Sequence, residues 1–344
     1  MSRSRTGALA APHRTRPADS PARLDLLPNP YGPSVYVAEA IAGSDELHLP
    51  ACERELRWHL RLAREVGVPP DWLLLANGTE ELLGVISLWR REHPLVLFPP
   101  SDPVDERRAE RHGIEVITVP RSPRFSLDLE PDVAARLPRD ATALVTSPND
   151  PTGTLLATQD AVRLLRRCEV VVVDERHGAY TGRSLVPLVR EFENLIVVQT
   201  LETWAALSGF PVAYAIAPPR LISELEPYRP RGLTMGSVLA AAATFDDLAY
   251  VRATVRRVRE ERASLWRMLR KLNMLRPFPS WANFVLARIE RGDADDFTRE
   301  LARRDIQVYR TPQPALTAHL RISATRPDHT LALKQALIEI AAPL

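Results

Sequence analysis

Lysine is nearly absent from this chain of 344 residues: it stands only at positions 271 and 334, so 43 of the 45 basic residues are arginine. The two cations differ in what they can do. A buried lysine can lose its proton and attack a carbonyl to form a Schiff base, whereas a guanidinium keeps its charge in any environment and cannot. Covalent amine chemistry therefore has only Lys271 and Lys334 to draw on. The remaining candidates are acids and hydroxyls that follow apolar runs. Asp174 closes "VVVVDE", Thr200 closes "LIVVQT", and Asp150 lies in the turn "NDPTG" behind "ALVTSP". An aspartate in such a place can pair with a cation or simply cap the next turn. The "NDPTG" turn can equally be a backbone device, since Pro, Thr and Gly shape turns. Cys52 and Cys168 have neither metal-ligand spacing nor a disulfide framework, and no metal site is expected.

The apolar runs are the elements that must position these groups. Residues 72–76, 95–99, 115–120, 143–148, 170–175 and 195–200 are short, rich in Val, Leu and Ile, and end in turn or polar residues, as strands covered on both faces do. Helical patterns at 105–112 and 158–167 lie between them. Alternation of this kind predicts an α/β fold with a mostly parallel, three-layer αβα sheet, and such sheets bind ligands at the carboxyl ends of their strands. After residue 244 the pattern changes. A long charged helix over 247–272, strands at 283–289, 306–309 and 320–324, and helices near 295–304 and from 328 onward predict a smaller α+β domain.

The expected division is a disordered arm over 1–22, an N-terminal segment of the small domain over 23–45, a large domain over 46–245, and the linker helix with the small domain over 246–344. A net charge of +2 gives no sign of nucleic acid or an anionic membrane as partner. No apolar run is long enough to span a bilayer, and the arm lacks the apolar core of a secretory signal. A cytoplasmic protein is the expectation.

Seven segments, in order, resemble the histidinol-phosphate aminotransferases, fold-type I members of the class I/II pyridoxal-phosphate-dependent aminotransferases; threonine-phosphate decarboxylases share the same motifs. "LDLLPNPYGPS" (24–34) is similar to their Asn-Pro-Tyr-Gly segment and "LANGTEELL" (75–83) to their phosphate-cup turn. "VTSPNDPTGTLL" (145–156) resembles their Pro-Asn-Asn-Pro-Thr-Gly motif, and "VVVDERHGAY" (171–180) the strand whose aspartate pairs with the pyridinium. "LIVVQTLETWAALSGFPVAYAIA" (195–217) resembles their Thr-Leu-Ser-Lys segment and the helix after it. "SWANFVLARI" and "HLRISA" resemble the small-domain strands.

The resemblance implies pyridoxal phosphate, an aspartate-aminotransferase-like fold and a homodimer. It places Gly78, Thr79 and Thr200 at the phosphate, Asp174 at the ring nitrogen, and Asn29, Tyr31 and Arg321 on the substrate side. The departures are as informative. Thr203 stands where the family has its Schiff-base lysine, and a hydroxyl can neither form an internal aldimine nor serve as a base near neutral pH. Glu202 and Pro211 replace a serine and an arginine that bind phosphate. Asp150 replaces a donor to the ring oxygen, His177 a tyrosine with the same target, and Asp102 the stacking aromatic.

The fold so implied would bring Asp102, Asp150, Asp174 and Glu202 together in the old cofactor cavity. Four acids there raise one another's pKa unless a cation offsets them. That cation could be an amine or amino-acid ligand, a divalent metal, or one of the chain's own arginines. The bland alternatives are a solvated strand position for Arg321 and an ordinary loop histidine at position 177. Two functions follow. One is a degenerate homologue without covalent pyridoxal phosphate, acting in ligand binding, in regulation or as partner of an active paralogue in a heterodimer. The other is an active aminotransferase for an amino acid or amino-acid phosphate, with its anchor elsewhere.

Overall fold

A computed structural model of the chain describes residues 21–341. Its strands are β1 (Ala22–Leu24), β2 (Leu73–Ala76), β3 (Leu95–Leu97), β4 (Val116–Thr118), β5 (Thr142–Thr146), β6 (Val170–Asp174), β7 (Leu195–Thr200), β8 (Ala213–Ile216), β9 (Leu275–Pro277), β10 (Phe284–Ile289), β11 (Ile306–Val308) and β12 (His319–Ser323). Seven of them form one sheet in the order β2-β8-β7-β6-β5-β3-β4. All its pairings are parallel except those of β8, which runs against both β2 and β7.

The apolar runs have a simple cause. Side chains alternate across a strand, and here both faces are covered. Val171, Val173, Leu195 and Val197 enter one core, while Val170, Val172, Ile196 and Val198 enter the other. Each such side chain contributes roughly 1.5–3 kcal/mol on full burial, so neither face tolerates a polar residue until the strand ends. Functional side chains are thereby confined to the carboxyl ends: residues 77–79 after β2, 98–102 after β3, 147–153 after β5, 174–177 after β6 and 200–203 after β7.

A third core joins the helix Leu248–Leu269 (Val258, Leu265, Leu269) to β10 (Val285, Ala287), β12 (Leu320, Ile322) and the closing helix Pro327–Ala341 (Leu333, Leu337). β12, β10 and β9 make an antiparallel sheet, and β1 pairs in parallel with β11.

One expectation needs correction. The 195–217 segment contains no helix after residue 203. Turns run to residue 210 and lead into β8, because Ala206 adopts a left-handed φ of 58° and Gly209 and Pro211 interrupt helical hydrogen bonding. Within the segment 23–45, contacts reach the large sheet as well as the small-domain side. β1 joins that side, but the helix Val35–Ala42 packs its Val37 into the large-domain core, and Ser34 donates to Asp247 Oδ2 at 2.6 Å. Of the expected arm over 1–22, residues 1–20 lie outside the described residues, and Ala22 is the first residue of a strand rather than part of an arm. Among the described residues no helix is long and apolar enough to cross a membrane.

Candidate active site

The helix Thr79–Trp89 starts at the end of β2, and its first N–H groups lack partners within the helix. Gly78, at φ 92°, makes the turn into it; an added Cβ there would stand 3.2 Å from Glu202 Oε1 and 3.0 Å from Pro211 Cβ. A helix N-terminus of this form attracts an anion. The anion present is the Glu202 carboxylate: Oε1 accepts from the Thr79 N–H at 2.7 Å and the Thr79 hydroxyl at 2.9 Å, and lies 2.8 Å from the Thr200 hydroxyl. Expected phosphate ligands therefore surround an acid from the chain itself.

Asp174, fully buried at the end of β6, has both oxygens engaged by one residue. Oδ1 accepts from the Arg176 backbone N–H at 2.9 Å and Oδ2 from Arg176 Nε at 2.6 Å. Arg176 also lies 3.9 Å from Asp102 and 3.8 Å from Glu80. Arg108 extends the array, donating to Asp105 at 2.7 Å and to Glu80 at 2.8 Å. Burial works against the charge on Arg176, but Asp174, Asp105, Asp102 and Glu80 outweigh it and hold the guanidinium above its ordinary pKa. Burial raises Asp105 to about 6, against the pull of Arg108 and Arg176. Burial first, and then Asp150, raises Asp102, which also caps the helix Pro103–His112 by accepting from the Val104 N–H at 3.0 Å.

Arg321 on β12 is not a solvated strand residue. It is buried, and its Nη1 donates to both oxygens of Asp150 at 2.8 and 2.6 Å, while Nη2 donates to the Asp25 carbonyl. Its guanidinium lies 4.2 Å from the Tyr309 ring centroid. The group expected to clamp a substrate carboxylate thus holds a carboxylate of the chain.

Thr203, at the lysine position, donates its hydroxyl to the Arg176 carbonyl at 2.6 Å. His177 is fully buried, edge-on to Phe284 at 5.5 Å, with the Asn283 side chain beside its ring. Burial pushes its pKa down to about 4. Asn29 donates its amide to the Trp204 carbonyl and the Thr254 hydroxyl, both at 2.9 Å, clasping the N-terminal segment to the loop at 203–204. Tyr31 lies under the Arg257 guanidinium at 5.5 Å.

The four acids therefore do not share one hole that awaits a cation. Asp174 and Asp102 face Arg176, Asp150 faces Arg321, and Glu202 faces a helix N-terminus. An amine ligand would find each acid already engaged. Among the described residues, no group of three His, Cys, Asp or Glu is placed to hold a metal ion. Sequence reasoning missed Arg176, Asp105, Arg108 and Glu80. The adjacency of Arg176 to Asp174 in "DERH" was the available signal.

Comparison with known proteins agrees with this frame. The model of the aminotransferase class I and II family matches residues 47–339. A histidinol-phosphate aminotransferase of Roseiflexus castenholzii is 32% identical, over 94% of this chain and 91% of that one. The putative histidinol-phosphate aminotransferase of Erwinia carotovora atroseptica superposes with a TM-score of 0.86 at 23% identity, covering 93% of this chain and 96% of that one. The Sinorhizobium meliloti histidinol-phosphate aminotransferase, solved in complex with pyridoxal-5'-phosphate, gives 0.82 at 21% identity, covering 94% and 92%.

Two outcomes are expected. Arg176→Met leaves Asp174 buried and unpaired and should cost about 3–5 kcal/mol in urea unfolding, while Arg176→Met with Asp174→Leu should recover most of that loss. For His177, the folded pKa of about 4 lies below the ordinary 6.5, so the unfolded chain binds the extra proton between those values. Its contribution is present above pH 6.5 and lost as pH falls towards 4, by roughly 3 kcal/mol. Asp105, raised rather than lowered, acts in the opposite sense over part of that window. His177→Phe should therefore lose less stability than the parent between pH 6.5 and 4; parallel pH profiles would contradict the assignment.

Proposed function

The chain belongs to the aminotransferase class I and II family, and from that premise we propose that its pyridoxal phosphate site is closed by its own side chains. On this reading it is a histidinol-phosphate aminotransferase-like homologue without lysine-dependent transamination. The observation that carries the reading is the Glu202 carboxylate seated on the Thr79 N–H and hydroxyl.

Pyridoxal phosphate supplies an electron sink and asks the protein for an amine, an anion cup and a partner for its ring nitrogen. The residues present do not fit it. The amine is a threonine whose hydroxyl is spent on a backbone carbonyl. The cup holds a carboxylate, and a unit negative charge about 4 Å from another is opposed by about 4 kcal/mol at an effective dielectric near 20. The ring-nitrogen partner, Asp174, is engaged by Arg176 through both oxygens. Binding of the cofactor would require displacing Glu202 and Arg176 together. Lys271 and Lys334 are exposed residues on the small-domain side, which supports neither as a substitute anchor.

A chain of this kind works through binding rather than turnover. We place it as a regulatory or partner subunit, a homodimer or a heterodimer with a lysine-bearing paralogue. Leu56 and Leu60, one turn apart on the helix Cys52–Val66 and both exposed, support an association surface. Free Cys52 and Cys168 suit a reducing cytoplasm.

The purified protein mixed with pyridoxal phosphate and dialysed should show no near-visible absorption, and borohydride should fix no adduct. Colour that survives dialysis, with a reduced adduct mapped to Lys271 or Lys334, would overturn the reading in favour of an active aminotransferase.

A further inference from the structure

A cleft of about 440 Å³ opens between the segments 99–100 and 120–125 of the large domain and the small-domain residues Phe278, Arg288, Ala315 and His319. It is separate from the closed cofactor cavity and of a size that takes a small organic molecule. Its chemistry is one-sided. Phe125 and Phe278 meet edge to face at 4.9 Å, and His319 packs against both, at 6.0 and 5.7 Å. Phe278 and His319 are tilted by only 34° to each other, and Phe125 stands at 62° and 77° to them, so the three rings form an angled aromatic wall. Among the described residues no acidic side chain lines the cleft, but two arginines do.

Arg121 is the unusual one. It is buried, and its three hydrogen bonds all go to neutral acceptors: Nε to the Phe98 carbonyl at 3.0 Å, Nη1 to the Phe125 carbonyl at 3.4 Å, and Nη2 to Asn149 Oδ1 at 3.1 Å. A guanidinium has five N–H donors, so some remain unspent. Among the described residues no carboxylate pairs with it, and burial lowers its pKa to about 10. A buried cation without a counter-charge costs several kcal/mol, and here it lines an open cleft rather than a packed core. Arg288 is exposed and makes no ion pair among the described residues. The wall is held by a strained backbone. Phe125 has a φ of 64°, a region a bulky side chain rarely adopts, and its carbonyl is fixed by the Thr154 hydroxyl at 2.9 Å as well as by Arg121. Strain of this kind gathers where a surface is shaped for a ligand.

We propose that this cleft binds a small aromatic carboxylate, its ring on the wall of Phe125, Phe278 and His319 and its negative charge answering Arg121 and Arg288. The site neither uses nor needs pyridoxal phosphate, so it stands whatever the state of the cofactor cavity. Benzoate and phenylacetate are the probes, titrated calorimetrically into the full chain at low ionic strength. Saturable binding is expected, with benzyl alcohol, which keeps the ring and lacks the charge, at least about tenfold weaker. Arg288→Gln, an exposed substitution whose unchanged melting temperature verifies the fold, should weaken benzoate by about tenfold. Three results would each overturn the site: no saturable binding of either acid, equal binding of benzyl alcohol, or a benzoate affinity unchanged in Arg288→Gln. Inorganic phosphate bound as tightly as benzoate would overturn the aromatic part of the assignment.

Discussion

A helix N-terminus aimed into a buried site requires negative charge, and much of this pocket follows from how that requirement is met. Thr79 and the turn at Gly78 present the N–H and hydroxyl donors, and Glu202 supplies the charge from two residues beyond β7. Once the carboxylate is seated there, the neighbouring features form a consistent set. Pro211 packs against Gly78 where no counter-cation is needed. The Thr200 hydroxyl turns to the same oxygen, and Thr203 is free to tie its hydroxyl to the Arg176 carbonyl. The cup is the same structural device that binds phosphate elsewhere, but here the anion is covalently part of the chain.

The remainder of the cavity obeys the same logic of internal neutralisation. Asp174 would be costly to bury alone, and Arg176 meets it through both a backbone and a side-chain donor. Arg321 would be equally costly alone, and Asp150 meets it through both oxygens. Each pair neutralises a buried charge within the chain itself. His177 fits the pattern from the other side: with no acid bonded to its ring and full burial, it stays neutral and packs as an aromatic against Phe284.

The fold was largely legible because the central strands are buried on both faces, so runs such as 170–174 and 195–200 could hardly be anything else. β8 was not, since "AYAI" has few β-branched residues and sits inside a segment whose resemblance implied a helix. The substitutions at Thr203, Glu202, Asp150 and Asp102 stood out because they interrupt recognisable motifs. Their partners did not. Arg321 was already singled out, but pairing it with Asp150, and Arg176 with Asp102, requires knowing which side chains meet across β3, β5, β6 and β12, and that information is three-dimensional. The Arg121 cleft was invisible for the same reason, being assembled from separate segments with no motif among them. The burial of His177 was likewise unreadable, since a loop histidine between an arginine and a glycine looks solvated.

Everything in the pocket depends on which anion occupies the turn at Thr79. A crystal structure of the protein soaked in pyridoxal phosphate tests this most directly. The expected result is Glu202 Oε1 on the Thr79 N–H and Arg176 on Asp174, with no cofactor density between them. A phosphate group on Thr79, with Glu202 swung away and Arg176 displaced from Asp174, would contradict it.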